Sequence, residues 1–179
     1  MVRAGKLILR YTFTFAVFCG TAGLLLPAVY ELVEPRKAAY QQELKLQSLR
    51  LVSPGAEDFE PAQTAAGQAY YRAYADGQLL GYVLEVRARG YSSELQLLVG
   101  LDRSYAVTGL RTLAQAETPG LGTRITEPAF AAQFLGRPAE ALALRQDGGS
   151  LDALTGATIT SRAVADGIRR AVADWRATL

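Results

Sequence analysis

Apolar positions crowd the first thirty residues, alternate through the middle of the chain, and recur at helical spacing near its end. Between Arg10 and Glu31 runs a stretch of twenty uncharged residues, YTFTFAVFCGTAGLLLPAVY. A helix rising ~1.5 Å per residue covers roughly 30 Å over such a run, enough to span a bilayer core. Tyr11 and Tyr30 stand at its two ends, where amphipathic rings favour the interface. Residues 34–51 predict a polar helix leaving the membrane, stopped by Ser53-Pro54-Gly55. Residues 56–67, rich in Ala, Pro, Gly and acids, predict a loop. From 68 onward branched and aromatic residues predict four strands, at 68–75, 79–88, 94–101 and 106–113. Asp76-Gly77 is a strong hairpin signal, and Asp102-Arg103-Ser104 predicts a further turn. Short connections make the sheet antiparallel.

The spacing beyond the sheet predicts a short helix over 128–135, another strand over 141–145 closed by Asp147-Gly148-Gly149, and a last helix over 161–177. Val164, Ile168, Ala171, Val172 and Trp175 fall on one face of that helix. Arg162/Asp166 and Arg170/Asp174 are spaced to pair at i,i+4 on its wet side. The fold class expected is α+β: an antiparallel sheet covered by helices, behind a single transmembrane helix. The expected division is an anchor over 1–33, a linker helix and loop over 34–67, and a domain over 68–179.

Composition narrows the chemistry. The chain has 179 residues, enough for one domain and an anchor. A net charge of +2 gives no sign of a nucleic-acid partner. Without histidine, and with Cys19 as the only cysteine, His/Cys metal sites, Ser-His catalysis and internal disulfides are excluded. The apolar run exceeds the core of a cleaved signal peptide, and no small-x-small cleavage site follows it. A retained anchor in membrane lipid is therefore expected. Arg3, Lys6 and Arg10 flank it on one side, while Arg36, Lys37 and Lys45 are diluted by acids on the other. That mild bias puts the N-terminus in the cytoplasm and the domain outside.

Candidate chemistry concentrates just before the last helix, in Asp152-Ala-Leu-Thr155-Gly156-Ala157-Thr158-Ile-Thr160-Ser161. Gly156 and Ala157 let a bulky group approach the backbone. The free amides and the dipole of a helix start suit a phosphate. Plain capping of the helix by Thr160 or Ser161 is the competing account. A second segment, Glu117-Thr118-Pro119-Gly120-Leu121-Gly122, carries a Pro-Gly pair favoured at the centre of a type II turn.

Thr155-Gly156-Ala157-Thr158 resembles the flavinylation motif of the FMN-binding domain family, Ser/Thr-Gly-Ala-Thr/Ser. The 117–122 segment resembles that family's Glu-Thr-Pro-Gly-Leu-Gly loop, and the Gly90-Tyr91-Ser92 turn belongs to the same likeness. Within the family the pattern is most similar to the G subunits of Rnf electron-transport complexes, then to the C subunits of sodium-pumping NADH:quinone reductases. The resemblance implies covalent FMN on Thr158, installed from FAD by a flavin transferase, with Thr155, Gly156 and Ala157 shaping the attachment site. It implies that Glu117, Thr118, Leu121 and Gly122 approach the flavin ring. Glu117 would there either disfavour negative charge on the reduced ring or accept a hydrogen bond from a ring nitrogen. Two departures stand out: Gln115-Ala116 replace the histidine or polar pair of many relatives, and Thr155 replaces a serine. The function implied is electron relay within a membrane-bound, ion-translocating oxidoreductase at the periplasmic face of the inner membrane. Other subunits of the complex would be its partners, and no catalytic residue or metal would sit on this chain. An anchored binding or scaffold domain without flavin, and an FMN subunit of another respiratory complex of Nqr type, are the alternative readings.

Overall fold

Five strands form one antiparallel sheet in the sequential order β1-β2-β3-β4-β5. They are Asp58–Gln63, Ala69–Ala75, Gln78–Arg89, Glu94–Asp102 and Val107–Ala114. The computed structural model describes residues 10–21, 23, 43–65 and 67–178. Two units are distinct, Met1–Lys45 and Leu46–Leu179. In the first, residues 10–21 are helical and exposed. Among the described residues no helix is long and apolar enough to cross a membrane. The rest of the expected uncharged run, residues 22 and 24–30, lies outside the described residues, as does the 34–42 part of the polar helix expected over 34–51.

In the second unit, residues 46–52 are helical and are called α1. The helices α2 (Pro128–Ala132) and α3 (Thr158–Ala177) follow the sheet. The four expected strands are present within a residue or two of their expected ends. Both residues of the Asp76-Gly77 turn have positive φ, +49° and +70°, as a type I′ hairpin requires. The expected loop over 56–67 is corrected: residues 58–63 pair with β2, adding a fifth strand. Its Pro61 is tolerated because β1 is an edge strand. The expected strand over 141–145 is also corrected. Leu142 and Leu144 are buried, but that segment forms only an isolated bridge between Leu144 and Leu151, between short 3-10 turns.

One sheet face carries the main core. Val164, Ile168, Val172 and Trp175 of α3 pack on Leu84, Val86, Leu97, Val99 and Leu101, with Phe130 and Phe134 alongside. On the other face, Leu49 and Val52 of α1 pack against Val83 and Leu98. The two expected i,i+4 pairs on α3 give way to others. Arg162 grips Asp147 through two hydrogen bonds of 2.8 and 3.0 Å, and Arg169 pairs with Asp166. A base preceding an acid by four residues is the weaker orientation on a helix; Asp166 instead precedes its base by three, and Arg162 reaches outside the helix. One asymmetry positions the site. β3 pairs with β4 from Gly81 to its end, Arg89 opposite Glu94, but with β2 only as far as Leu84. The β3–β4 hairpin therefore projects past its neighbours, and its 90–93 turn reaches the first turn of α3.

Candidate functional site

Glu117 follows the end of β5 and turns its carboxylate inward, leaving the residue 5% exposed. One oxygen accepts from the Ser92 N–H (3.0 Å), the Ser93 N–H (2.9 Å) and the Ser93 hydroxyl (3.1 Å). The other accepts from the Tyr91 N–H (3.2 Å) and the Thr160 hydroxyl (2.7 Å). A single side chain thereby joins the hairpin tip, the 117–122 loop and α3. Glycine is required on both sides of it. A Cβ on Gly90 would stand 2.6 Å from the Glu117 Oε1, and one on Gly122 would stand 2.7 Å from the Glu117 Cβ. Burial pushes the Glu117 carboxyl up. The hydrogen bonds from Thr160, Ser93 and Ser92 outweigh that push and hold it below the ordinary glutamate range.

The loop then makes the expected turn. The Leu121 N–H donates to the Thr118 carbonyl at 3.2 Å, and Gly120 has φ +75°, the value type II demands at its third residue. Thr118 is exposed and Leu121 is 42% exposed. The loop meets the other motif directly, since a Cβ on Gly156 (φ +79°) would lie 2.9 Å from the Leu121 Cδ2.

At that point α3 begins, three residues earlier than expected. Its N-cap is Ala157, which offers no side-chain cap, and the first intrahelical bond runs from the Ser161 N–H to the Ala157 carbonyl. Thr160 and Ser161, the expected caps, lie inside the first turn. Thr160 serves Glu117, and the Ser161 hydroxyl donates to the Ala157 carbonyl and accepts from the Leu154 N–H. The Thr158, Ile159 and Thr160 amides are thus left without intrahelical acceptors at the positive end of a twenty-residue helix. The Thr158 hydroxyl stands in that same turn, half-buried and without a hydrogen bond among the described residues.

Both motifs line one cleft of about 600 Å³, with Tyr91, Glu117, Thr118, Leu121, Gly156 and Thr158 among its walls. That volume is ordinary for a small-molecule site. Of the residues expected there from sequence, Glu117, Thr118, Leu121, Gly122, Gly156, Ala157 and Thr158 line it, and Thr155 does not. Tyr91, Ile159 and Thr160 are additions. Ile159 could have been noticed: it is a large apolar residue off the 164/168/172/175 stripe, and it is 53% exposed. Tyr91, Leu121 and Ile159 give the rim exposed apolar surface suited to a planar ring. Among the described residues no lysine or arginine lines this cleft, so a phosphate there would be met by helix amides alone. Two larger clefts, of about 720 and 660 Å³, contain neither motif. Free amides, an unengaged hydroxyl and an apolar rim fit an FMN phosphate and ring.

Comparison with known proteins agrees with this arrangement. Residues 90–173 match the FMN-binding domain. The chain is 33% identical over 176 residues to the G subunit of the ion-translocating oxidoreductase complex of Methanosarcina acetivorans, covering 93% of this chain and 94% of that one. It is 29% identical over 168 residues to the G subunit of the proton-translocating ferredoxin:NAD(+) oxidoreductase complex of Clostridium ljungdahlii, covering 92% and 90%. Its fold resembles that of Shewanella oneidensis NqrC, with a TM-score of 0.51 at 18% identity over 68% of this chain and 65% of that one. Two motifs that meet in one cleft, on that fold and with that likeness along nearly the whole chain, place it plainly: the chain belongs to the FMN-binding domain family, among the G subunits of ion-translocating oxidoreductase complexes.

Proposed function

We propose that this chain carries FMN through a phosphoester to Thr158 and relays electrons within a membrane-bound ion-translocating oxidoreductase complex of Rnf type. The observation that carries the reading is the Thr158 hydroxyl. It is unengaged, it lies in the first turn of α3 beside amides with no intrahelical acceptor, and it shares a cleft with the 117–122 loop. Attachment exchanges one bond for another. The Thr158 Oγ1 bonds to the phosphorus of the FMN half of FAD, AMP leaves, and the hydroxyl proton passes to a base of the flavin transferase. Bound FMN supplies the redox chemistry. The chain's own residues hold and orient. Free amides of Thr158, Ile159 and Thr160 would hold the phosphate charge, the Thr118–Leu121 turn would meet the ring, and Glu117 fixes these two walls to each other.

The lack of a cation supports a covalent bond in particular. A doubly charged phosphate in an open cleft without Lys or Arg is held weakly, and a tether removes the dependence on affinity. No complete active site is expected on this chain, so it acts as a redox subunit beside others. A single anchor over 11–30 keeps it in the bacterial inner membrane with the domain in the periplasm.

The test is expression with a flavin transferase, followed by flavin fluorescence on a denaturing gel and the mass of the intact chain. Thr158→Ala is expected to lose fluorescence and the added mass completely, while Thr155→Ser keeps both. Flavin remaining on denatured Thr158→Ala protein would overturn the assignment.

A further inference from the structure

A cleft of about 720 Å³ lies along an unpaired stretch of β3. Pairing with β2 stops at Tyr70 opposite Leu84. β2 begins at Ala69, beside its connection to β1: the Thr64 N–H donates to the Gln68 carbonyl, and the Gly67 N–H to the Thr64 carbonyl. β3 nevertheless runs on to Arg89, held by β4 alone. Its other edge from Val86 to Arg89 has no strand beside it among the described residues, and a groove of about 720 Å³ fills the place where one would lie. Gly67, Gln68 and Ala69 close one end, and Gly167, Arg170 and Ala171 of α3 form a wall.

The two sides of this edge differ. Val86 and Ala88 belong to the core face, under α3, where a Cβ on Gly167 would come within 2.6 Å of the Ala88 Cβ. Arg87 and Arg89 alternate with them, are exposed, and make no ion pair among the described residues. Charge is graded along the groove. Glu85 and Asp174 lie toward its Ala69 end, while Arg87 and Arg89 lie toward the hairpin tip. Unpaired backbone groups in a row are a template for another strand. Directly opposed side chains on adjacent strands favour opposite charges.

We propose that the open edge of β3 at 86–89 receives an extended segment of a partner subunit as a sixth strand. The pattern the edge selects is alternating. Acidic residues face Arg87 and Arg89, and small or apolar residues face Val86, Ala88 and the α3 wall. A segment of about five residues, roughly 17 Å long, fills the edge. This inference rests on the chain working in a multi-subunit assembly and is independent of flavin attachment.

Amide hydrogen exchange tests it, comparing the isolated full-length chain with the same chain in the purified membrane complex. The amides of 86–89 that point away from β4 are expected to exchange rapidly in the isolated chain and at least tenfold more slowly in the complex. In the double variant Arg87→Glu/Arg89→Glu that slowing is expected to vanish, while amides paired with β4 stay protected and fluorescent flavin stays on the chain. Equal exchange in both states would mean that the arginines merely guard a bare edge, and overturns the proposal. Protection already present in the isolated chain would mean that its own residues fill the groove, and overturns it equally. Protection that survives charge reversal overturns the acidic pattern. A chain that leaves the membrane without other subunits fails the assembly reading and this proposal with it, whatever its flavin content.

Discussion

Glu117, which lines the cleft, also ties its walls together. Its carboxylate accepts five hydrogen bonds, from backbone and hydroxyl donors on two separate segments. In sequence it reads as a charged residue beside a turn, a contact for the ring. Its partners at 91–93 and 160 are 24 to 43 positions away, beyond any local pattern. Glu117→Gln keeps the shape but replaces one acceptor oxygen with a donor that faces donors. We expect a loss of about 1–3 kcal/mol in denaturant unfolding, the cost of a buried polar group left mismatched. The pH dependence has a definite sign. A carboxylate held below its ordinary value near 4.5 stabilises the fold fully above that value, and loses the contribution as pH falls through the lower, folded-state value. Stability of the parent protein should therefore fall more steeply below about pH 4.5 than that of Glu117→Gln. The two should differ most above it. Parallel curves from neutral pH to acid would show that Glu117 contributes nothing through its charge.

At the scale of elements, legibility follows periodicity. The four central strands and the apolar stripe of α3 are readable because alternation and helical spacing are set by which face is buried. β1 is hidden because an edge strand needs few apolar residues and can admit Pro61. The stretch over 141–145 misleads for the converse reason: Leu142 and Leu144 are buried by period two without a partner strand. The start of α3 escapes the local rule because that rule seeks a hydroxyl cap, and here the hydroxyls of Thr160 and Ser161 are engaged elsewhere. The missing cap leaves the amides that a phosphate can use. Glycine governs a further element. The Val52 carbonyl oxygen of α1 sits 1.9 Å from where a Gly100 Cβ would be, the Val52 Cα sits 2.4 Å from a Gly109 Cβ, and the Thr108 hydroxyl bonds that carbonyl at 2.7 Å. Gly100→Ala is expected to push α1 off the sheet. Its signs would be a stability loss of about 1–3 kcal/mol, typical of overpacking, and faster proteolysis near exposed Leu51. Unchanged proteolysis and unfolding would mean that the contact is not needed.

For the whole molecule we propose that the domain lies on the periplasmic side of a membrane. Within the first unit, Tyr11, Phe13, Phe15, Val17 and Phe18 of the 10–21 helix are all exposed. At 100° per residue these positions fall in two opposed arcs and do not define one stripe, and Ala16, Cys19 and Gly20 between them bring no charge. A helix without a charge on any side gains little from water, and the uncharged run continues in sequence to Tyr30. Lipid is the environment we propose for it. Three basic residues precede the run with no acid among them, which favours a cytoplasmic N-terminus and a domain on the far side. A single labelling position can read this out. Gln146 is exposed in a short turn outside the cleft, and its neighbour Asp147 is already committed to Arg162. Cys19 is the only native cysteine, so Cys19→Ser removes the background. In that protein, Gln146→Cys should react with a membrane-impermeant maleimide added to intact spheroplasts, as rapidly as after permeabilisation. The same probe on Ala4→Cys should react only once the membrane is opened. Reversal of the two patterns would put the domain in the cytoplasm. Equal and immediate reaction at both positions, with the chain recovered in the soluble fraction, would remove the anchor altogether.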